Sequence, residues 1–447
     1  MFRSTVAALV VLAGGASADT IAPLPVSPSN LSIILTAAGQ FASPGRNNFA
    51  SPVAIGDDLY FVNQRGELLR ETPTGFDTLI DIDTRPEGIT GTERAVILNV
   101  AGTADHIFVA FTSDTLPDDL ASAAPLPTGA EYAPDDVMYQ VIVRYDRAAD
   151  GSLVANSDVT LTAFEGGHQG HSGGGMLVLP NGDVAFARGD LLLPGSDGLT
   201  APQDGTSWSS RLVLIDPVTG ATEVAAQGIR NVQRLTFTDA TQTEIAFVDI
   251  GGTVAEEVNV ISVADLVDTT TIENFGWGRA GDGFAREGTF YINADGSVSA
   301  DAPVPEAGFL QPYAQFGRED ATWFAGTGPV ASDVSFTSID LLFGDLNTGR
   351  LLATMAPTGS SLNEVFEVNL VDENGVQYAL STLLDAAGVT RADLRFFNFA
   401  DGGAGVLLER TGRYYRISQY MAAVPLPAAL WLSLAALAAL VRIRKHP

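Results

Sequence analysis

The chain has 447 residues and no cysteine, which excludes a disulfide framework and a thiolate metal site. Its 53 acidic residues outnumber 24 basic ones, the net charge is −29, and Lys445 is the single lysine. A body of that sign repels nucleic acid and anionic lipid, so neither is expected as its partner. It suits a soluble protein in a salty exterior and offers carboxylates to Ca²⁺.

In chain order, the first element is an address. Arg3 precedes the apolar run Val6 to Ala13, and Ala16-Ser17-Ala18 is a small-residue exit. That pattern predicts a signal peptide over 1–18, because the run is too short for roughly 20 membrane-spanning residues. Residues 19–420 form the body. Its length suits two ordinary domains or one large β-structure, and absent disulfides are acceptable with a core of that size.

Short strand-like runs follow one another: Asp58 to Val62, His106 to Phe111, Gln140 to Tyr145, Met176 to Leu179, Asp183 to Ala187, Arg211 to Ile215, Glu244 to Val248 and Gly405 to Glu409. Asn181-Gly182, Asp295-Gly296 and Asp401-Gly402 supply turns between such runs. Helical periodicity is scarce before the C-terminal tail, so the fold class is all-β. Weak repetition of a strand–turn–strand unit predicts a β-propeller, with a pair of sandwiches as the competing architecture. Acidic, Pro-rich stretches at 117–136 and 300–306 read as insertions on the scaffold. There is no P-loop, dinucleotide fingerprint or HExxH zinc motif.

Four segments hold candidate chemistry. Residues 166–190 carry His168 and His171 in a glycine-rich approach to a strand, where a histidine suits general-base work or is merely solvated. Residues 227–237 crowd Arg230, Asn231, Gln233 and Arg234 at a turn before a strand. Guanidinium forks and amides there bind carboxylates and carbonyls, or pair with surface acids. Residues 249–261 set Gly251 and Gly252 before Glu256 and Glu257, an oxygen-rich turn that suits a hard cation or a solvated acidic pair. Residues 274–283 place Trp277 between glycines, as a wall for a flat ring or as a core residue.

Taken in order, these segments resemble the soluble pyrroloquinoline-quinone (PQQ) glucose and sorbosone dehydrogenases. The matching residues are His171, Gly173, Gly174, Pro180-Asn181-Gly182 and Gly189-Asp190, then more loosely Gln203-Asp204 and Ser210-Arg211. They continue with Gly228 to Gln233, Gly251-Gly252, Glu256 to Asn259 and Asn274 to Trp277. The resemblance implies a six-bladed β-propeller with the cofactor over its central channel. It implies that His171 takes the sugar hydroxyl proton while hydride passes to PQQ. It implies that Arg230, Asn231 and Gln233 hold PQQ, that the carbonyls of Gly251 and Gly252 bind Ca²⁺, and that Glu257 shapes a further Ca²⁺ site.

The chain departs from that family at two points. The arginine after the paired glycines is Gly175, and no body lysine exists to contact PQQ. Arg350 is the candidate for the lysine's place, and Arg391 and Arg395 correspond roughly to a late arginine pair. PQQ carries three carboxylates, so each missing cation weakens binding. The alternative is a non-catalytic propeller that binds glycans or matrix components.

The last element, 421–447, is a second address. Val424-Pro425-Leu426-Pro427-Ala428 precedes an apolar stretch to Val441 and then Arg442, Arg444 and Lys445. It resembles the VPLPA-CTERM sorting signals of Gram-negative bacteria. The apolar stretch and its basic end predict a single C-terminal transmembrane helix, and the resemblance implies recognition by an exosortase-type protease. A plain C-terminal anchor is the other reading, and either places the body at the periplasmic or cell-surface side.

Overall fold

The computed structural model describes residues 24–25, 32–41, 51–62, 66–81, 96–125, 138–166, 170–191, 200–252, 254–279, 285–292, 298–299, 308–317, 330–331, 339–344, 349–355, 362–385, 387–389 and 392–420. Both address segments lie outside these residues, as do His168, Arg391, Asp295-Gly296 and the stretch 300–306. Among the described residues no helix is long and apolar enough to cross a membrane.

Six meandering sheets succeed one another as blades. Blade 1 comprises Val53–Ile55, Asp58–Val62, Glu67–Thr72 and Gly75–Asp81. Blade 2 comprises Ile97–Gly102, His106–Ser113, Met138–Asp146 and Val159–Gly166. Blade 3 comprises Gly173–Val178, Val184–Arg188, Arg211–Ile215 and Thr222–Gln227. Blade 4 comprises Thr236–Phe237, Glu244–Asp249, Ala255–Ser262 and Ala314–Gly317. Blade 5 comprises Val330–Ala331, Leu341–Gly344, Leu351–Thr354 and Val365–Glu367. Blade 6 takes Leu394–Asn398, Ala404–Leu408 and Arg413–Gln419 from the C-terminal side and Ser32–Gln40 from the N-terminal side. A small sheet of Gly278–Arg279, Ala285–Glu287, Phe290–Ile292 and Val298–Ser299 is inserted within blade 4.

The continuous apolar runs follow from burial on both faces of each blade. In blade 2, Ile107, Val109 and Phe111 pack toward blade 1, while Phe108 and Ala110 pack toward blade 3. In blade 3, Val213 and Ile215 face blade 2, and Leu212 and Leu214 face blade 4. Six separate apolar clusters fill the six interfaces between neighbouring blades. Two stacked sandwiches would not generate that ring, and the six-bladed expectation is met.

The ring closes through the antiparallel pairing of Ser32–Gln40 with Arg413–Gln419. Its last interface holds Phe41, Phe61, Phe397 and Tyr414, with the Phe61 and Tyr414 rings 4.9 Å apart. Gly39 is required there, since a Cβ would overlap the Tyr414 ring. The expected insertion after Pro117 falls between the second and third strands of blade 2.

Candidate functional site

His171 stands just before the innermost strand of blade 3. The Asn181-Gly182 turn folds that strand back onto Val184–Arg188 and pairs Gly173 with Arg188. The same register, two residues further out, brings His171 to Asp190. Nδ1 of His171 lies 2.7 Å from Asp190 Oδ1, and both side chains are largely buried. A proton on Nδ1 is held by the carboxylate, which places the imidazole lone pair on Nε2. His171 has a φ of +52°, and Gly173 has a φ of +71° with no room for a Cβ, which would overlap the Ala187 carbonyl oxygen. Gly189 is likewise excluded from carrying a side chain by the His171 carbonyl. The glycine-rich sequence therefore brings two backbones together behind the histidine.

Arg230 and Asn231 reach the same place from the connection between blades 3 and 4. Asp190 N donates to the Arg230 carbonyl at 2.8 Å, and Arg230 Nε lies 3.7 Å from Asp190 Oδ2. Asp249 organises the turn: its two carboxylate oxygens accept from the backbone N–H groups of Arg230 and Asn231, each at 2.7 Å. The Asn231 side-chain oxygen accepts from Gly173 N at 3.2 Å. Trp277 forms a wall, with the Arg230 guanidinium 5.1 Å from its ring centroid. Gly252 is a glycine because a Cβ would lie 2.8 Å from Trp277 Cη2.

Gln233 sits on the propeller axis. Its backbone carbonyl accepts from Asn99 of blade 2, and its side-chain oxygen accepts from Arg395 of blade 6, both at 3.3 Å. Arg395 is buried and lies 3.4 Å from Glu409. Sequence positions as distant as 99, 233 and 395 thus form one polar bar across the channel.

The acidic turn is built otherwise than the resemblance implies. Glu257 is buried directly opposite Asp249 in the ladder and accepts from Gly288 N and from Asn259 Nδ2. Glu256 accepts from Gly251 N, and Glu287 accepts from Val254 N and Ala255 N. Burial pushes the Asp249 carboxyl up to about 8 and raises Glu257 as well. The Gly251 carbonyl accepts from Arg230 Nη1 at 2.7 Å, beside the Ile250 carbonyl at 2.9 Å. A guanidinium already set against this carbonyl repels a second cation, so the carbonyls of Gly251 and Gly252 do not fit Ca²⁺ as arranged. Among the described residues no group of three His, Asp or Glu gathers as a metal site.

Arg350 does not join the cluster. It pairs with Glu367 at 3.0 Å in a groove lined by Leu370, Tyr378 and Leu380, at the boundary of blades 5 and 6. The described residues therefore bring His171, Arg230 and Asn231 together, tie Gln233 to Asn99 and Arg395, put Glu257 opposite Asp249 and leave Arg350 aside.

Sequence reading missed the roles of Asp190, Asp249 and Arg188. The first was legible from the hairpin register, and the second only from blade pairing. Arg188 is fully buried and donates to Gln140, to the carbonyls of Trp208 and Glu165, and stacks on Phe164 at 4.6 Å. Desolvation lowers its pKa to about 9, and the neighbouring Arg211 adds to the fall.

No protein-family model matches the chain, and no curated protein sequence matches it. Solved structures do. The PQQ-bound form of an aldose sugar dehydrogenase from Streptomyces coelicolor superposes with a TM-score of 0.51 at 17% identity, covering 87% of this chain and 98% of that one. A putative oxidoreductase (glucose dehydrogenase) from Thermus thermophilus gives 0.50 at 15% identity, covering 86% and 99%. At these identities the likeness is one of fold: the chain is an all-β, six-bladed propeller similar to those two proteins.

Proposed function

We propose that this protein is a sugar oxidoreductase, with His171 as the base that removes a hydroxyl proton and a PQQ-type quinone as the hydride acceptor. The reading is carried by the 2.7 Å His171–Asp190 contact at the mouth of the propeller, beside Arg230 and Asn231. Such a dyad orients the imidazole and stabilises its protonated form while the sugar C–H bond is cleaved. When bound, the quinone supplies the two-electron acceptor. Arg230, Asn231 and Gln233 are the groups that would hold its carboxylates and carbonyls, and Trp277 would cover one side. His171→Ala should lower kcat/KM for aldoses by about 10²-fold or more in a PQQ-dependent dye-reduction assay. A folded protein that neither binds PQQ nor reduces dye with any aldose overturns the reading.

The guanidinium on the Gly251 carbonyl predicts PQQ binding, followed by fluorescence quenching, that EDTA leaves unchanged. A strict requirement for Ca²⁺ would mean that Arg230 leaves that carbonyl on loading.

One observation favours a second reading. Arg350, the substitute for the missing lysine, is taken up by Glu367 away from the cluster. A propeller short of cations at its mouth suits a non-catalytic binder of glycans or matrix components. Glycan binding that is indifferent to PQQ and to His171→Ala would select it.

We further propose that the protein is exported and sorted through its two address segments, with an exosortase-type protease acting at Val424 to Ala428. A mature mass that starts at Asp19 and ends before Arg442 would support this. Retention of Met1 to Pro447 would overturn it.

A further inference from the structure

The Trp277 wall is held by its main chain rather than by its side chain. The indole N–H is buried and has no acceptor among the described residues. The ring meets the Arg230 guanidinium on a face, and its six-membered edge lies against Gly252. Neither contact is a hydrogen bond from the indole. The main chain supplies the anchors: Trp277 N donates to the Gly228 carbonyl at 2.9 Å, and the Trp277 carbonyl accepts from Gln203 Nε2 at 2.7 Å.

Gln203 grips the same segment a second time, at Asn274. The two amides bond reciprocally: Gln203 Nε2 donates to Asn274 Oδ1 at 3.1 Å, and Asn274 Nδ2 donates to Gln203 Oε1 at 2.8 Å. Asn274 Oδ1 also accepts from Gly276 N at 2.9 Å, which bends the chain toward Trp277. Gly228 lies against this amide pair, since a Cβ there would come within 2.8 Å of Gln203 Nε2. Gly228 begins the turn that carries Arg230 and Asn231. One side chain therefore ties the wall to the arginine turn.

Gln203 is itself fixed. It ends the short 3₁₀ turn Ala201–Gln203, whose Pro202 carbonyl accepts from Arg211 Nη1 at 2.6 Å. Arg211 Nη2 donates to the Asp204 carbonyl, and the arginine is buried in blade 3. A side chain that holds another in place is effective when its own base is locked. None of the Gln203 bonds reaches His171 or Asp190.

We propose that Gln203 is a positioning residue of the cofactor site, setting the Trp277 ring, and with it the Arg230 guanidinium, where a PQQ-type quinone would lie. This rests on the reading of the protein as a PQQ-type sugar oxidoreductase.

The test compares the whole protein with Gln203→Ala and Gln203→Glu. The glutamate keeps the length and the acceptor for Asn274 Nδ2 but loses the donor to the Trp277 carbonyl. Both variants should raise the Kd for PQQ at least about tenfold, the worth of one or two neutral hydrogen bonds. At saturating PQQ, kcat should stay within about twofold, because the His171–Asp190 contact is untouched. The readout independent of turnover is fluorine NMR of protein labelled with 5-fluorotryptophan, with Trp277→Phe assigning the Trp277 line. Without PQQ that line should shift or broaden in both Gln203 variants, while the circular dichroism spectrum stays that of the wild type. Gln203→Glu decides the matter if Gln203→Ala fails to fold. An unchanged Trp277 line, an unchanged Kd for PQQ, or a kcat at saturating PQQ that falls as far as the affinity would each overturn the proposal alone. A wild type that does not bind PQQ is a different outcome, since it overturns the oxidoreductase reading and the proposal with it.

Discussion

Asp190 and Asp249 are both buried carboxylates beside Arg230, yet they do different work. Asp190 meets a histidine ring and the Arg230 side chain, so its charge serves the imidazole. Asn in its place no longer holds the proton on Nδ1, and Asp190→Asn should lower kcat by about 10²-fold with little change in KM. Asp249 meets backbone N–H groups and sits opposite Glu257, so burial and like charge hold its pKa at about 8. Its sign is that of a raised acid. The folded state keeps a proton that the unfolded chain has released above pH of about 4, so stability falls as pH rises from there and levels off above about 8. Asp249→Asn should flatten this decline. Urea midpoints at pH 6 and pH 9 would show it, with the wild type losing at least ~1 kcal/mol more than the variant.

At the scale of the element, the hairpin Gly173–Val178 and Val184–Arg188 carries the site on one end and a buried arginine on its second strand. Arg188 is cross-strand partner to Arg211, and both guanidinia are satisfied chiefly by carbonyl oxygens rather than by carboxylates. Removing one strands several acceptors in a dry interface, while relieving some charge repulsion. Arg188→Met should therefore cost about 2–4 kcal/mol in denaturant unfolding. The strands of this hairpin were readable from Val, Phe and Leu runs and the Asn181-Gly182 turn, as were Asp58–Val62 and Arg211–Ile215, whose observed ends match the sequence reading. The short inner strand Thr236–Phe237 follows the crowded turn of 227–237, as that segment's pattern led one to expect, though two residues are too few for their bounds to show as an alternation.

For the whole molecule, closure is the decisive event. Ser32–Gln40 covers the edge of Arg413–Gln419 and completes the sixth blade. Deleting residues 32–40 leaves an open edge and unseals the Phe61–Tyr414 interface, so the protein should aggregate and lose a single cooperative transition in calorimetry. The net charge of −29 acts over the same scale. Carboxylate repulsion is screened by salt, and Tm should rise by several degrees between about 0.01 and 0.5 M NaCl.

Composition and local pattern alone determined the all-β class, the exclusion of thiol chemistry, and the segments around His171, Arg230 and Gly251 as candidate chemistry. These depend on residue type and short spacing, which a chain carries with it unfolded. Tertiary structure decided which of those groups meet. Arg230 turned onto the Gly251 carbonyl, Arg350 was drawn to Glu367, and Gln233 found partners 134 and 162 residues away in Asn99 and Arg395. Such pairings follow from the closing of six blades around one axis, a long-range event that no local spacing encodes.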